Sequence, residues 1–200
     1  MYALSAIAGG AATVASAILA VAVVQPSTTV PDTMWSYPWP SDTFVLVCLV
    51  YAVFHALVLV GVLGFARSGA AGTGRAARAG GLLAVAGTAV LFIAELASIL
   101  YRTEPLSATG PSIVGAIFGL GTVLTALGIL MTGVTTLRAG VWQDWRRYVP
   151  LVTGVWSALL VGLAATSALA IGVGVYGLCI LALGVALRTP APATTARIAA

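Results

Sequence analysis

Polar positions along this chain are few and grouped, and between them run apolar stretches at about 3–25, 43–66, 80–101, 112–137 and 149–187. Each of the first four is long enough to cross a hydrocarbon layer about 30 Å thick as a helix of about 20 residues. The last is too long for one crossing, since about 39 residues at 1.5 Å each would reach roughly 60 Å. A split near Thr166-Ser167-Ala168, where small polar side chains favour a tight turn, gives two helices at 149–166 and 169–187. The pattern predicts an all-α protein, a polytopic transmembrane bundle of six helices forming one domain over 1–187. From Arg188 onward the chain is rich in Pro, Ala and Thr without an apolar period, so 188–200 is expected to be a disordered cytoplasmic tail. No basic residue precedes the first apolar stretch, and Ala3 to Val24 is long enough to span, so it is read as a retained helix and not a cleaved signal peptide.

Charge gives the bundle a direction. With the amino terminus inside, Arg67, Arg75, Arg78, Arg138, Arg146, Arg147, Arg188 and Arg197 all fall on the cytoplasmic side, and only Arg102 falls outside, beside Glu104. Both termini are therefore expected to be cytoplasmic, in a multi-pass protein of the cell membrane. A composition of 60% hydrophobic and 7% charged residues cannot clothe a water-soluble domain. The net charge of +4 comes from arginines scattered at membrane flanks, with no lysine, so its expected partner is a bilayer with anionic headgroups and not nucleic acid.

Small residues recur within the spans, as at Ala8, Ala12 and Ser16, at Gly115, Gly119, Gly121 and Gly128, and at Ala158 and Gly162. They permit close helix approach, within the chain or across a seam to a second copy or another membrane protein. Cys48 and Cys179 lie inside apolar runs and read as small buried hydrophobes. The segment from Pro26 to Asp42 carries four prolines beside Trp35, Tyr37 and Trp39. It fits an interfacial aromatic anchor, or a lid over an outward-opening cavity. Trp142, Trp145 and Tyr148, interleaved with Arg146 and Arg147, suggest an aromatic belt at the inner interface.

Glu95 is the acid buried deepest in an apolar run, and an ionised carboxylate costs roughly 2.5–3.5 kcal/mol at the centre of a span. It is expected to face protein or a wet cavity. Thr88, Glu95, Ser98 and Arg102 share one side of their helix, which makes Ser98, Arg102 and, across helices, Tyr51 its expected neighbours. Cys48, Tyr51 and His55 share a face of the second span. Counted from the outer boundary, His55 lies roughly 18–20 Å deep against about 10 Å for Glu95 and about 13 Å for Tyr51. Contact between Glu95 and His55 would thus require one helix to shift, and His55 is expected to be satisfied by a hydroxyl or a backbone carbonyl.

A single histidine excludes bis-histidine haem, the lack of lysine excludes a retinal Schiff base, and no spacing fits a metal site or metalloprotease. The glycine-rich 68–75 connection lacks the lysine of a phosphate loop. No cofactor, metal or catalytic machinery is expected. Two functions remain: an accessory, structural or small-molecule-binding membrane subunit, or a small permease or proton-coupled transporter using Glu95 and His55.

Overall fold

The computed structural model describes residues 1–164 and 166–188. Six apolar helices follow one another: α1 (Tyr2–Ser27), α2 (Ser41–Arg67), α3 (Arg75–Tyr101), α4 (Thr109–Ala139), α5 (Val149–Leu163) and α6 (Leu169–Arg188). All but α5 are long and apolar enough to cross a membrane. Beyond Arg188 the expected tail lies outside the described residues.

Local chemistry sets the helix ends, and it moves several of them from where the apolar runs stop. α3 begins at Arg75, ahead of the apolar stretch, because Gly69 and Gly72 take positive φ and turn the chain before it. α4 continues to Ala139 and stops where Gly140 adopts φ 63° and donates its N–H to Thr136 O. α5 covers 15 residues and ends at Leu163, three residues short of the expected boundary. Pro150 starts it, where a missing N–H costs nothing. Near the end of α1 the backbone widens into a π segment at Ala20–Val24. Pro26 follows at once, and its ring clashes with the carbonyl four residues back in an α register, which the wider turn relieves.

The helices run up and down around a ring. α1 packs on α2, α2 on α3, α3 on α4, α4 on α5 and α5 on α6, and α6 returns to pack extensively on α1. Ala6, Val58, Val62, Ala84, Ile129 and Ile180 meet in the middle, drawn from five of the six helices. The closest pairs are α3 with α4 and α1 with α6, and glycine backbone makes them possible. A Cβ on Gly128 would lie 2.2 Å from Ala84 N, and one on Gly10 would lie 2.6 Å from Gly177 O. Gly80, Gly87 and Gly121 face the same α3–α4 seam, and Gly177 and Gly184 face α1. By contrast Gly115, Gly119 and Gly162, expected to be packing positions, meet nothing within 4 Å. The seam follows the seven-residue pairs 80/87 and 121/128, while the four-residue motif points out of the bundle.

The inner aromatic belt is corrected in part. Trp145 and Tyr148 are about half exposed, but Trp142 is buried against Phe65, with ring centroids 5.8 Å apart, in a cluster with Leu183 and Ala186. Arg146 is 1% exposed.

Gly128→Ala is expected to lower the thermal unfolding midpoint in detergent by the equivalent of about 1–3 kcal/mol, because backbone on the facing helix cannot give way. Gly119→Ala, which meets open space, should leave the midpoint unchanged; equal effects would mean that the α3–α4 seam is not closely packed.

Candidate intramembrane polar site

α1, α2 and α3 bring a polar cluster together inside the apolar bundle. Cys48, Tyr51 and His55 lie on the side of α2 that the three- and four-residue spacing aligns. Glu95 reaches them from α3 and is 7% exposed. Its Oε2 lies 3.8 Å from His55 Nδ1. That distance is a close contact, longer than a hydrogen bond. The same Nδ1 is 3.1 Å from Tyr51 O, so it carries the proton and donates to that carbonyl. The buried Cys48 side chain is a neighbour of the Glu95 carboxylate. Tyr51 lies near Ser16 of α1, whose hydroxyl donates to Thr13 O at 2.9 Å.

This arrangement departs from the expected one in two respects. The depth count separates Glu95 from His55, yet they touch. Counting from helix ends assumes that the ends are level. Fourteen residues from Ser41 to His55 span roughly 21 Å and six from Glu95 to Tyr101 roughly 9 Å, so the outer end of α3 sits well below that of α2. The 28–40 loop reaches over this step: Trp35 N donates to Glu104 O and Leu106 N to Thr33 O, and Met34 pairs with Pro105 in an isolated β-bridge. Second, neither Ser98 nor Arg102 partners Glu95. The buried Ser98 hydroxyl donates to Ala94 O, and the exposed Arg102 donates to Ile99 O.

Polar groups elsewhere in the spans are mostly satisfied by their own helix. Thr88, Thr122 and Thr132 each donate to the carbonyl four residues back. Trp156 ties α5 to α6 by donating Nε1–H to Gly172 O at 2.8 Å. Among the described residues Thr125 Oγ1 and Tyr176 Oη are buried without a partner. In the 28–40 loop Tyr37 and Trp39 are half-buried, at the start of α2 Asp42 accepts from Thr43 N at 2.8 Å, and Trp35 Nε1 is buried without a partner among the described residues. This loop folds back on itself, with Thr28 donating to Pro38 O. Among the described residues no group of His, Cys, Asp and Glu forms a metal site.

Sequence spacing placed Cys48 on the right face but read it as an inert hydrophobe, and Ser16 as a packing residue. Their polar roles depend on helix rotation, which carries no sequence signal here. The buried Arg146 was also missed. Its Nε donates to Asp144 Oδ1 at 2.8 Å, and Asp144 also accepts from Arg146 N, closing a tight turn ahead of α5. No known protein family, curated protein or solved structure matches the chain.

Glu95→Gln keeps an acceptor for Cys48, whereas Glu95→Leu strands the polar groups around it. The Leu variant is expected to unfold in detergent with about 1–3 kcal/mol less stability than the Gln variant. A Leu variant as stable as Gln would show that the cluster holds nothing together. In the turn ahead of α5 the Arg146 guanidinium holds the Asp144 carboxyl below its ordinary range. A carboxyl depressed in the folded state contributes fully above its unfolded value and loses that contribution as pH falls through the folded one. The stability lead of the native chain over Asp144→Asn should therefore be present at neutral pH and fade below about pH 4, as followed by thermal unfolding across pH.

Proposed function

We propose that this chain is a six-span protein of the cell membrane with both termini cytoplasmic, acting as an accessory or structural subunit whose polar cluster locks α1, α2 and α3 together. The observation that carries this reading is the use made of Glu95. The one acid deep in the spans is turned into a packed interface against His55 and Cys48. Two surface depressions, one at Ala76, Met131 and Arg138 and one beneath the outer loop, do not include it. A carboxylate used this way fixes helix register, as buried polar groups do in other helical assemblies.

The arginine distribution supports the orientation. The 15 residues of α5 rise roughly 22 Å, so a crossing there goes with a locally thinned bilayer and with the arginines of the Trp145–Tyr148 turn at its edge. The ring is also poor in catalytic groups, which favours a role within an assembly.

A second reading, a small proton-coupled permease, draws on the same pair. Glu95 and His55 both exchange protons, stand 3.8 Å apart, and His55 keeps 27% of its side chain accessible.

Reconstitution into liposomes with a proton-flux and small-molecule panel separates the two. The accessory reading expects no saturable flux in the native chain and copurification of a stoichiometric membrane partner. Flux abolished by both Glu95→Gln and His55→Phe, with the fold retained, would establish the permease instead. For orientation, reporters after Met34, Ser107 and Ser167 should be external and those after Gly72, Gln143 and Thr194 cytoplasmic. An internal Ser167 with an external Thr194 would show that α5 does not cross.

A further inference from the structure

At the arginine-rich end of the bundle a shallow groove of about 300 Å³ runs along the outer surface of the α3–α4 pair. Ala76 of α3 lines it together with Leu130, Met131, Val134, Thr135 and Arg138 of α4. Ala76 is too short to fill the space beside the larger side chains of α4, and that leaves the dent. Leu130 and Arg138 are eight residues apart, so the groove extends roughly 12 Å from near the end of α4 into its apolar part. Thr135 adds no free polar group, since its hydroxyl already donates to Met131 O and Thr132 O, both at 3.0 Å. The wall is thus apolar up to a cationic rim.

Charge at that rim is uncompensated. Arg138 is exposed, and its guanidinium has no hydrogen bond or ion pair among the described residues. The same is true of Arg75, which precedes Ala76, and of Arg78. Asp144 is the one acid at this end among the described residues, and Arg146 holds it at 2.8 Å. Both helices are long and apolar enough to cross a membrane, so the groove opens toward lipid with its cation at headgroup depth. The complement of such a surface is a molecule with an anionic head and a hydrocarbon chain.

We propose that this groove seats one acyl chain of an anionic phospholipid, with the headgroup phosphate on the Arg138 guanidinium. Size decides between a chain and a partner helix. The volume spread over the length gives a cross-section of roughly 25 Å², against roughly 80 Å² for a helix about 10 Å across. The net charge of the headgroup matters as well: a choline brings a further cation beside Arg75 and Arg78, whereas a glycerol headgroup brings the phosphate alone. The groove is separate from the Glu95 cluster and is independent of the accessory or transport reading.

The full chain, purified in detergent, is titrated with phosphatidylglycerol and with phosphatidylcholine of the same acyl chains, and bound lipid is followed by native mass spectrometry. Phosphatidylglycerol should bind saturably and more tightly than phosphatidylcholine. Arg138→Gln should weaken it about fivefold, the share of one arginine at an anionic surface. Ala76→Phe, which fills the groove and leaves Arg138 in place, should weaken it at least as much, and Arg102→Gln at the opposite end should bind as the native chain does. Ala76 and Arg138 are both exposed, and Val134→Phe fills the groove from α4 should Ala76→Phe lose its helical circular dichroism. The proposal is overturned if the two lipids bind alike, if Arg138→Gln has no effect, or if the groove-filling variants bind phosphatidylglycerol as the native chain does, since charge alone would then hold it. A dimer that Ala76→Phe dissociates would overturn it too, by giving the groove to a second copy.

Discussion

A helix in lipid gains little by exchanging hydrocarbon for another helix, so association depends on bringing backbones closer than side chains allow. In this chain that condition is met where one helix presents a peptide carbonyl or amide to a bare Cα on the next, as at Gly128 against Ala84 and Gly10 against Gly177. Dispersion contact between backbones then replaces the missing hydrophobic drive. These two seams lock four of the six helices, and α2 and α5 pack into the ring between them.

Once the seams are closed, each polar side chain has a short list of partners. Threonines and Ser98 fall back on their own helix carbonyls, which leaves them indifferent to their neighbours. Glu95 and His55 meet between α3 and α2 instead, with Cys48 beside the carboxylate and Tyr51 near Ser16 of α1. Because they span three helices, their register is coupled: a slide of α2 along α3 by one turn would part Glu95 from His55 without relieving either. At the inner end Arg146 plays a comparable part on a smaller scale, its cation held by a carboxylate two residues earlier where the chain turns into α5.

The six apolar helices and the break before Leu169 were legible in the sequence because they depend on solvent: a stretch without charge belongs in lipid, and length limits what one helix can cross. Glu95 was legible for the same reason, since one acid in such a stretch has to be accounted for. Its partner was not. Depth counted from apolar boundaries treats helix ends as level, and the stagger of α2 and α3 is set by the loop that spans it, through contacts such as Trp35 with Glu104 that no local pattern encodes. The packing glycines were hidden likewise. Gly115 and Gly119 have the more recognisable spacing, but which face of α4 turns inward is decided by α3, whose own glycines at 80 and 87 match those at 121 and 128. The burial of Trp142 and Arg146 escaped because aromatic and basic residues beside a span look the same whether they meet headgroups or fold under the bundle.

The closure of the ring by α6 against α1 bears on biosynthesis. α1 is made five helices before α6, on which it packs most extensively, so the face bearing Gly10 stays without its mate while the helices between them are made. During that interval α1 is held by α2 alone, through Ala6 with Gly61 and Tyr2 with Gly64. Until α6 follows, the hairpin of α1 and α2 carries that face of α1 as an unfinished surface.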